Sequence, residues 1–133
     1  MGMEIVLTRV LLQRLLREAE QALPHESCGL LLGQGTRIDE VRPTANVHPT
    51  PTTHFEIEPQ ALVDAHRAAR RGGLPILGYY HSHPNGRGEP SVTDRANAAG
   101  DRRVWAIVAG GDVTFWRDDE DGFAKLSYIV SER

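Results

Sequence analysis

The chain has one cysteine, Cys28, in 133 residues. A lone thiol cannot close an internal disulfide, and there is no Cys-x-x-Cys pair, so disulfide scaffolds are excluded and a reducing cytoplasm fits. Long apolar runs are missing too. In MGMEIVLTRVLLQRLLREAEQAL the apolar residues are broken by Arg9, Gln13, Arg14 and Arg17, which argues against a signal-peptide core or a membrane span. Basic blocks are absent and the formal net charge is -3, so neither nucleic acid nor an anionic membrane is expected as a partner. The length excludes a (β/α)8 barrel, which needs about 250 residues. What is present is ordinary for a globular chain: 40% hydrophobic and 25% charged residues. With no internal repeat, low-complexity tract or linker, one domain over 1–133 is expected.

Periodicity predicts the elements. Glu4 to Leu7 reads as a short strand. Leu11, Leu12, Leu15, Leu16, Ala19 and Leu23 recur at helical spacing after the N-cap candidate Thr8, and Pro24 stops that helix. Glu26 to Gly33 reads as a buried strand, paired with Thr36 to Arg42 across a glycine turn. Pro43 to Thr53 is a Pro/Thr loop, and Phe55 to Glu58 a brief strand. Pro59 opens a second helix, with Leu62, Val63, His66 and Ala69 expected inward. Leu74 to Tyr80 is a buried strand leading into His81, and Ser91 to Ala99 a short third helix. Val104 to Ala109 and Val113 to Trp116 form a hairpin on Gly110-Gly111, and Phe123 to Val130 is the last strand. The sum is an α/β fold, a curved mixed sheet flanked by helices.

The chemistry concentrates in HSHPNGRGEPSVTD. His81 and His83 stand two apart at a strand end, so their side chains share a face. Asp94 follows eleven residues later, in the first turn of a helix. Two imidazoles and a carboxylate leave a fourth position open on zinc, the arrangement a hydrolase needs. Ser91-Val92-Thr93-Asp94 also reads as a capping box. Ser91 can cap and still face the site, whereas capping and metal ligation compete for the Asp94 carboxylate. The set also resembles the two-histidine, one-carboxylate triad of non-haem iron oxygenases, but the ligand order differs and the chain has too much helix. A general base is needed as well, and the candidates are Glu26, Glu56, Glu58 and Glu89. Glu26 stands at the edge of a buried run, where a carboxylate is costly without a partner. His25-Glu26 begins a His-Glu-x-x-His pattern, but Gly29 occupies the last position.

Glu26 in PHESCG, followed by His81-Ser82-His83, Ser91 and Asp94, resembles the JAMM (MPN+) metalloprotease family at every position of its signature. The resemblance spans essentially the whole chain, of the short stand-alone bacterial or archaeal type. It implies one zinc ion per chain on His81, His83 and Asp94. It implies that Glu26 takes a proton from the attacking water and gives it to the leaving amine, and that Ser91 donates to the oxyanion. It also implies hydrolysis of a peptide or isopeptide bond after the Gly-Gly tail of a ubiquitin-like sulfur-carrier protein. Two other readings are a non-catalytic MPN module that binds such a partner, and a zinc hydrolase of small amides.

The remaining marked residues receive plainer readings. Cys28 is expected to be a small buried hydrophobe, His66 a packed helix residue, and Ser82 a spacer pointing away from the metal. His48 and His54 either approach the site or simply belong to their loop. Trp105 and Trp116 are expected in the sheet, and Asp118 to Asp121 in a solvated turn.

Overall fold

The computed structural model describes residues 4–132. Its elements are β1 (Glu4–Thr8), α1 (Arg9–Ala22), β2 (Cys28–Gln34), β3 (Arg37–Thr44), α2 (Pro59–Arg70), β4 (Ile76–Ser82), α3 (Val92–Asn97), β5 (Val104–Ala109), β6 (Asp112–Asp119) and β7 (Gly122–Ser131). The expected curved mixed sheet with flanking helices forms, and it curls until its edges meet. The strand order is β1-β3-β2-β4-β5-β6-β7, closed into a barrel. β1 runs parallel to β7 over five residue pairs and reaches β3 through Val6 and Arg37. Gly110 and Gly111, at φ 60° and 79°, make the β5–β6 turn, because a two-residue hairpin turn of this hand needs positive φ at both positions. No helix among the described residues is long and apolar enough to cross a membrane.

Two apolar clusters hold the sheet. Alternation along β2 sends Leu31 to one and Leu30 and Leu32 to the other. α1 starts at the Thr8 cap, whose hydroxyl accepts from the Leu11 N–H at 3.3 Å. It buries Leu15 among Ile5, Leu7, Val41, Tyr80 and Phe115, and Leu11, Leu12, Leu16 and Ala19 pack around it. α2 covers the second cluster through Ala61, Leu62 and Ala65. Here the expectation is corrected: Val63 and His66 are exposed and Ala65 is the buried residue. The i+3 and i+4 positions after Leu62 lie on neighbouring stripes, and the small Ala65 lets the helix seat closely on the sheet. Phe55–Glu58 is also corrected, since it makes only one isolated bridge, Asn46 with Ile57.

One irregularity aims β4. Leu31 pairs with Gly78 but Leu32 pairs with Ile76, so Leu77 is an extra residue opposite β2. Such a bulge reverses the facing of the residues beyond it. Ile76 and Tyr79, three apart, thus both pack toward α2, and His81 follows on that face. Gly78 is where β4 meets β5: a Cβ there would overlap the backbone carbonyl of Val104. Gly78→Ala is therefore expected to destabilise the fold by about 3 kcal/mol, read from the midpoint of chemical unfolding.

Asp118 corrects another expectation. It is 1% exposed, because β6 runs on through Asp119. Its carboxylate accepts the backbone N–H groups of Ala99 at 3.0 Å and Gly100 at 3.2 Å. Its own backbone N–H and C=O pair with Arg103 and Arg102. Asp118 thereby fastens the segment joining α3 to β5 to the sheet, and Arg103 adds a bond from its side chain to the Ile76 carbonyl at 2.9 Å.

Candidate active site

β4 delivers His81 and His83 to one spot. The His81 Nε2 and His83 Nε2 atoms lie 3.0 Å apart. α3 brings Asp94 between them, with Oδ2 at 3.2 Å from His81 Nε2 and 3.0 Å from His83 Nε2. All three residues are buried, and together they form a group that can hold a metal ion. Donors at about 2.1 Å from a tetrahedral ion stand about 3.4 Å from one another, close to the 3.0–3.2 Å spacing here. Two imidazole nitrogens and a carboxylate are also the donor types that suit zinc.

The surroundings favour ligation. His83 Nδ1 donates to the Arg87 carbonyl at 2.7 Å, which turns the Nε2 lone pair inward. Asp94 both caps and faces the histidines: its Oδ2 accepts the Ser91 N–H at 2.9 Å, and its own N–H donates to Ser91 Oγ at 3.0 Å. The one carboxylate thus serves the helix N-terminus and faces both histidines. A carboxylate offers about four lone-pair directions, and the helix N-terminus uses only one. Burial would raise the Asp94 pKa, but His81, His83 and the Ser91 N–H hold it well below the usual carboxylate range. Burial lowers the pKa of His81. Burial also works against the charged form of His83, but Asp94 and the Arg87 carbonyl outweigh it and the net shift is upward.

Of the four candidate bases, Glu26 is the buried one, at 6% exposure. Glu58 is engaged as the α2 N-cap, accepting from the Gln60 and Ala61 N–H groups, and Glu56 and Glu89 are exposed. Glu26 stands just before β2. Its N–H donates to the Pro51 carbonyl at 2.7 Å, and its C=O accepts from Asn46 Nδ2 at 3.1 Å. Ser82 was expected only to separate the histidines. Its Oγ accepts the Ser27 N–H at 2.8 Å, and its N–H donates to the Ser27 carbonyl at 3.1 Å. The segment carrying Glu26 is thereby locked to the strand carrying the histidines. Glu26, His83 and Ser91 line one cleft of about 130 Å³ with Thr52, Thr53 and Asn85.

The Glu26 Oε1 atom is buried without a hydrogen-bond partner among the described residues. Burial pushes its pKa up to about 7 from 4.5. In the metal-free protein the folded state therefore keeps a proton that the unfolded chain has lost between those values, and stability falls as pH rises through that window. Glu26→Gln is expected to raise the metal-free melting temperature at pH 8 and to leave it unchanged at pH 4. A melting difference independent of pH would contradict this.

Other marked residues lie elsewhere. Cys28 is 1% exposed in β2, with its thiol near the Thr44 hydroxyl. His48 and His54 stack on each other, ring centroids 4.6 Å apart, and neither joins the three-ligand group. Trp105 lies in β5, as expected of a sheet residue, and also stands against His81 with ring centroids 5.7 Å apart. Its register partner across the parallel β4–β5 pair is Tyr79, so strand alternation already puts it on the face of His81. Phe55 stacks on His81 from the other loop, and nothing in the local sequence signals that contact.

Comparison with known proteins agrees with this geometry. Residues 8–119 match the family described as prokaryotic homologs of the JAB domain. The chain is 39% identical over 115 residues to a probable TtuB-protein conjugate cleaving protease of Thermus thermophilus, covering 84% of this chain and 73% of that one. It is 33% identical over 110 residues to a desampylase of Haloferax volcanii, covering 80% and 79%. The solution structure of a Desulfitobacterium hafniense protein superposes with a TM-score of 0.84 at 29% identity, covering 97% and 94%. The chain belongs to the prokaryotic family of JAB-domain homologs, the JAMM-type fold that its Glu26, His-Ser-His and Ser-x-x-Asp signature resembles.

Proposed function

We propose that the protein is a zinc metallopeptidase that cleaves the peptide or isopeptide bond after the Gly-Gly tail of a ubiquitin-like sulfur-carrier protein. The observation that carries this reading is the buried Glu26, whose Oε1 has no partner among the described residues, sharing a cleft with His83 and Ser91, beside three converging ligand atoms. The similar proteins named for cleaving TtuB conjugates and for desampylation support the substrate class.

His81, His83 and Asp94 hold the ion. When bound, zinc supplies a Lewis acid that brings the pKa of water from 15.7 to about 7 and polarises the scissile carbonyl. Glu26 accepts the proton of the attacking water at its free Oε1 and passes it to the leaving amine. Ser91 Oγ accepts from the Asp94 N–H, so its own hydroxyl proton is left to donate to the developing oxyanion.

Intact mass tests the reading. A ubiquitin-like carrier with one residue attached beyond Gly-Gly is incubated with the protein and with a chelator-treated sample. Loss of the added residue with the untreated sample alone is expected. No loss while one zinc per chain stays bound would remove the substrate assignment and leave the metal site standing.

A further inference from the structure

We infer that Phe55 and Trp105 set the orientation of the His81 ring at the metal, its Nδ1 meeting no hydrogen-bond acceptor among the described residues. The two histidines are held differently. His83 has its Nδ1–H fixed on the Arg87 carbonyl, the usual arrangement for a ligating imidazole. His81 also turns Nε2 toward the other ligands, so with Nε2 on a metal its neutral ring would carry the proton on Nδ1. That Nδ1 is buried and has no hydrogen-bond partner among the described residues. The ring is 0% exposed, so no bulk solvent reaches it.

Rings surround it. Phe55 stacks on the imidazole at 4.3 Å between centroids and 16° between planes. Trp105 meets it edge-on at 5.7 Å and 88°. These two rings stand nearly perpendicular to each other, 5.9 Å apart at 78°, and Phe123 and Tyr79 also meet Trp105 edge-on. A stacked face stops the imidazole tipping, and a perpendicular neighbour stops it turning in its own plane. Aromatic pairs in these geometries contribute beyond their buried area, and their orientation preference can replace that of a missing acceptor. Phe55 comes from the loop between β3 and α2, so the aim of a sheet-borne ligand depends on a loop residue. Both rings act through His81 and are positioning residues.

The inference rests on the metal centre proposed above, and its test needs no substrate. Cobalt(II) replaces zinc as a probe, and its visible absorption reports ligand geometry. Measured for wild type, Phe55→Leu, Phe55→Tyr and Trp105→Leu are the cobalt spectrum, the metal dissociation constant by competition, and the metal-free melting temperature. Phe55→Leu keeps an apolar side chain and removes the stack. It is expected to change the cobalt bands and to weaken metal binding about tenfold, the lower end for partners outside the ligand set. Its metal-free melting is expected to stay near that of wild type, and Phe55→Tyr to restore spectrum and affinity. Trp105→Leu is expected to shift the bands in its own way, and it carries the test should Phe55→Leu fail to fold. Wild-type spectrum and affinity in both leucine variants would overturn the inference while leaving the metal centre intact. A Phe55→Tyr form no better than Phe55→Leu would also overturn it. Absence of cobalt binding by the wild type would remove the metal centre itself, and this inference with it.

Discussion

Glu26→Gln is expected to lose about a thousandfold or more in turnover, at the strong end of what general acid–base catalysis contributes, while one metal ion per chain stays bound. The amide has the shape of the acid and fits the same space, but its oxygen accepts a proton poorly and its nitrogen cannot accept one at all. The ligand residues come from β4, the residue that follows it and α3, whereas Glu26 is fixed separately through Pro51, Asn46 and the Ser27–Ser82 pair. Its replacement should therefore leave the ligand group undisturbed. Turnover is read under saturating substrate, with metal content measured on the same sample. Undiminished turnover would take Glu26 out of the proton-transfer role, and loss of metal along with turnover would make it part of the ligand set.

Asp94→Asn is expected to weaken metal binding by about a hundredfold. Groups one step removed from a metal already cost 10- to 100-fold when changed, and here the single anionic donor among the three is neutralised. The helix start should survive. Asparagine keeps an oxygen for the Ser91 N–H, and the bond from the residue 94 N–H to Ser91 Oγ is untouched. Affinity measured by competition with a chromophoric chelator is expected to fall while the metal-free far-ultraviolet circular dichroism stays the same. Unchanged affinity would reduce Asp94 to a capping residue, and unfolding would show that its charge holds the two histidines together even without metal.

These two side chains also mark how far the sequence could be read. The ligand group was legible because its logic is local. Two residues on one strand face and one in the next helix turn need only alternation and a short loop to converge. Glu26 was legible as a carboxylate at the edge of an apolar run, but choosing it over Glu58 rested on the family signature. The structure adds the reason: Glu58 is spent on a helix cap. Long-range terms were not legible. Closure of the sheet depends on β1 lying beside β7, 123 residues later in sequence at Glu4 and Ser127, and no local pattern encodes that pairing. The Leu77 bulge requires knowing which residue of β2 faces which residue of β4. Asp118 read as part of an acidic turn, because its partners are backbone N–H groups of a distant segment. On α2 the hydrophobic scale favoured Val63 over Ala65, while close packing against the sheet selected the smaller side chain.

The measurement that tests the central claim most directly is a metal titration of the chelator-stripped protein, with cleavage of the Gly-Gly-extended carrier followed at each addition of zinc. Activity is expected to be absent at the start, to rise in proportion to zinc, and to level at one equivalent per chain. Activity in the stripped protein equal to that of the loaded one would contradict the account. So would a full site of one zinc per chain with His81, His83 and Asp94 all replaced by alanine.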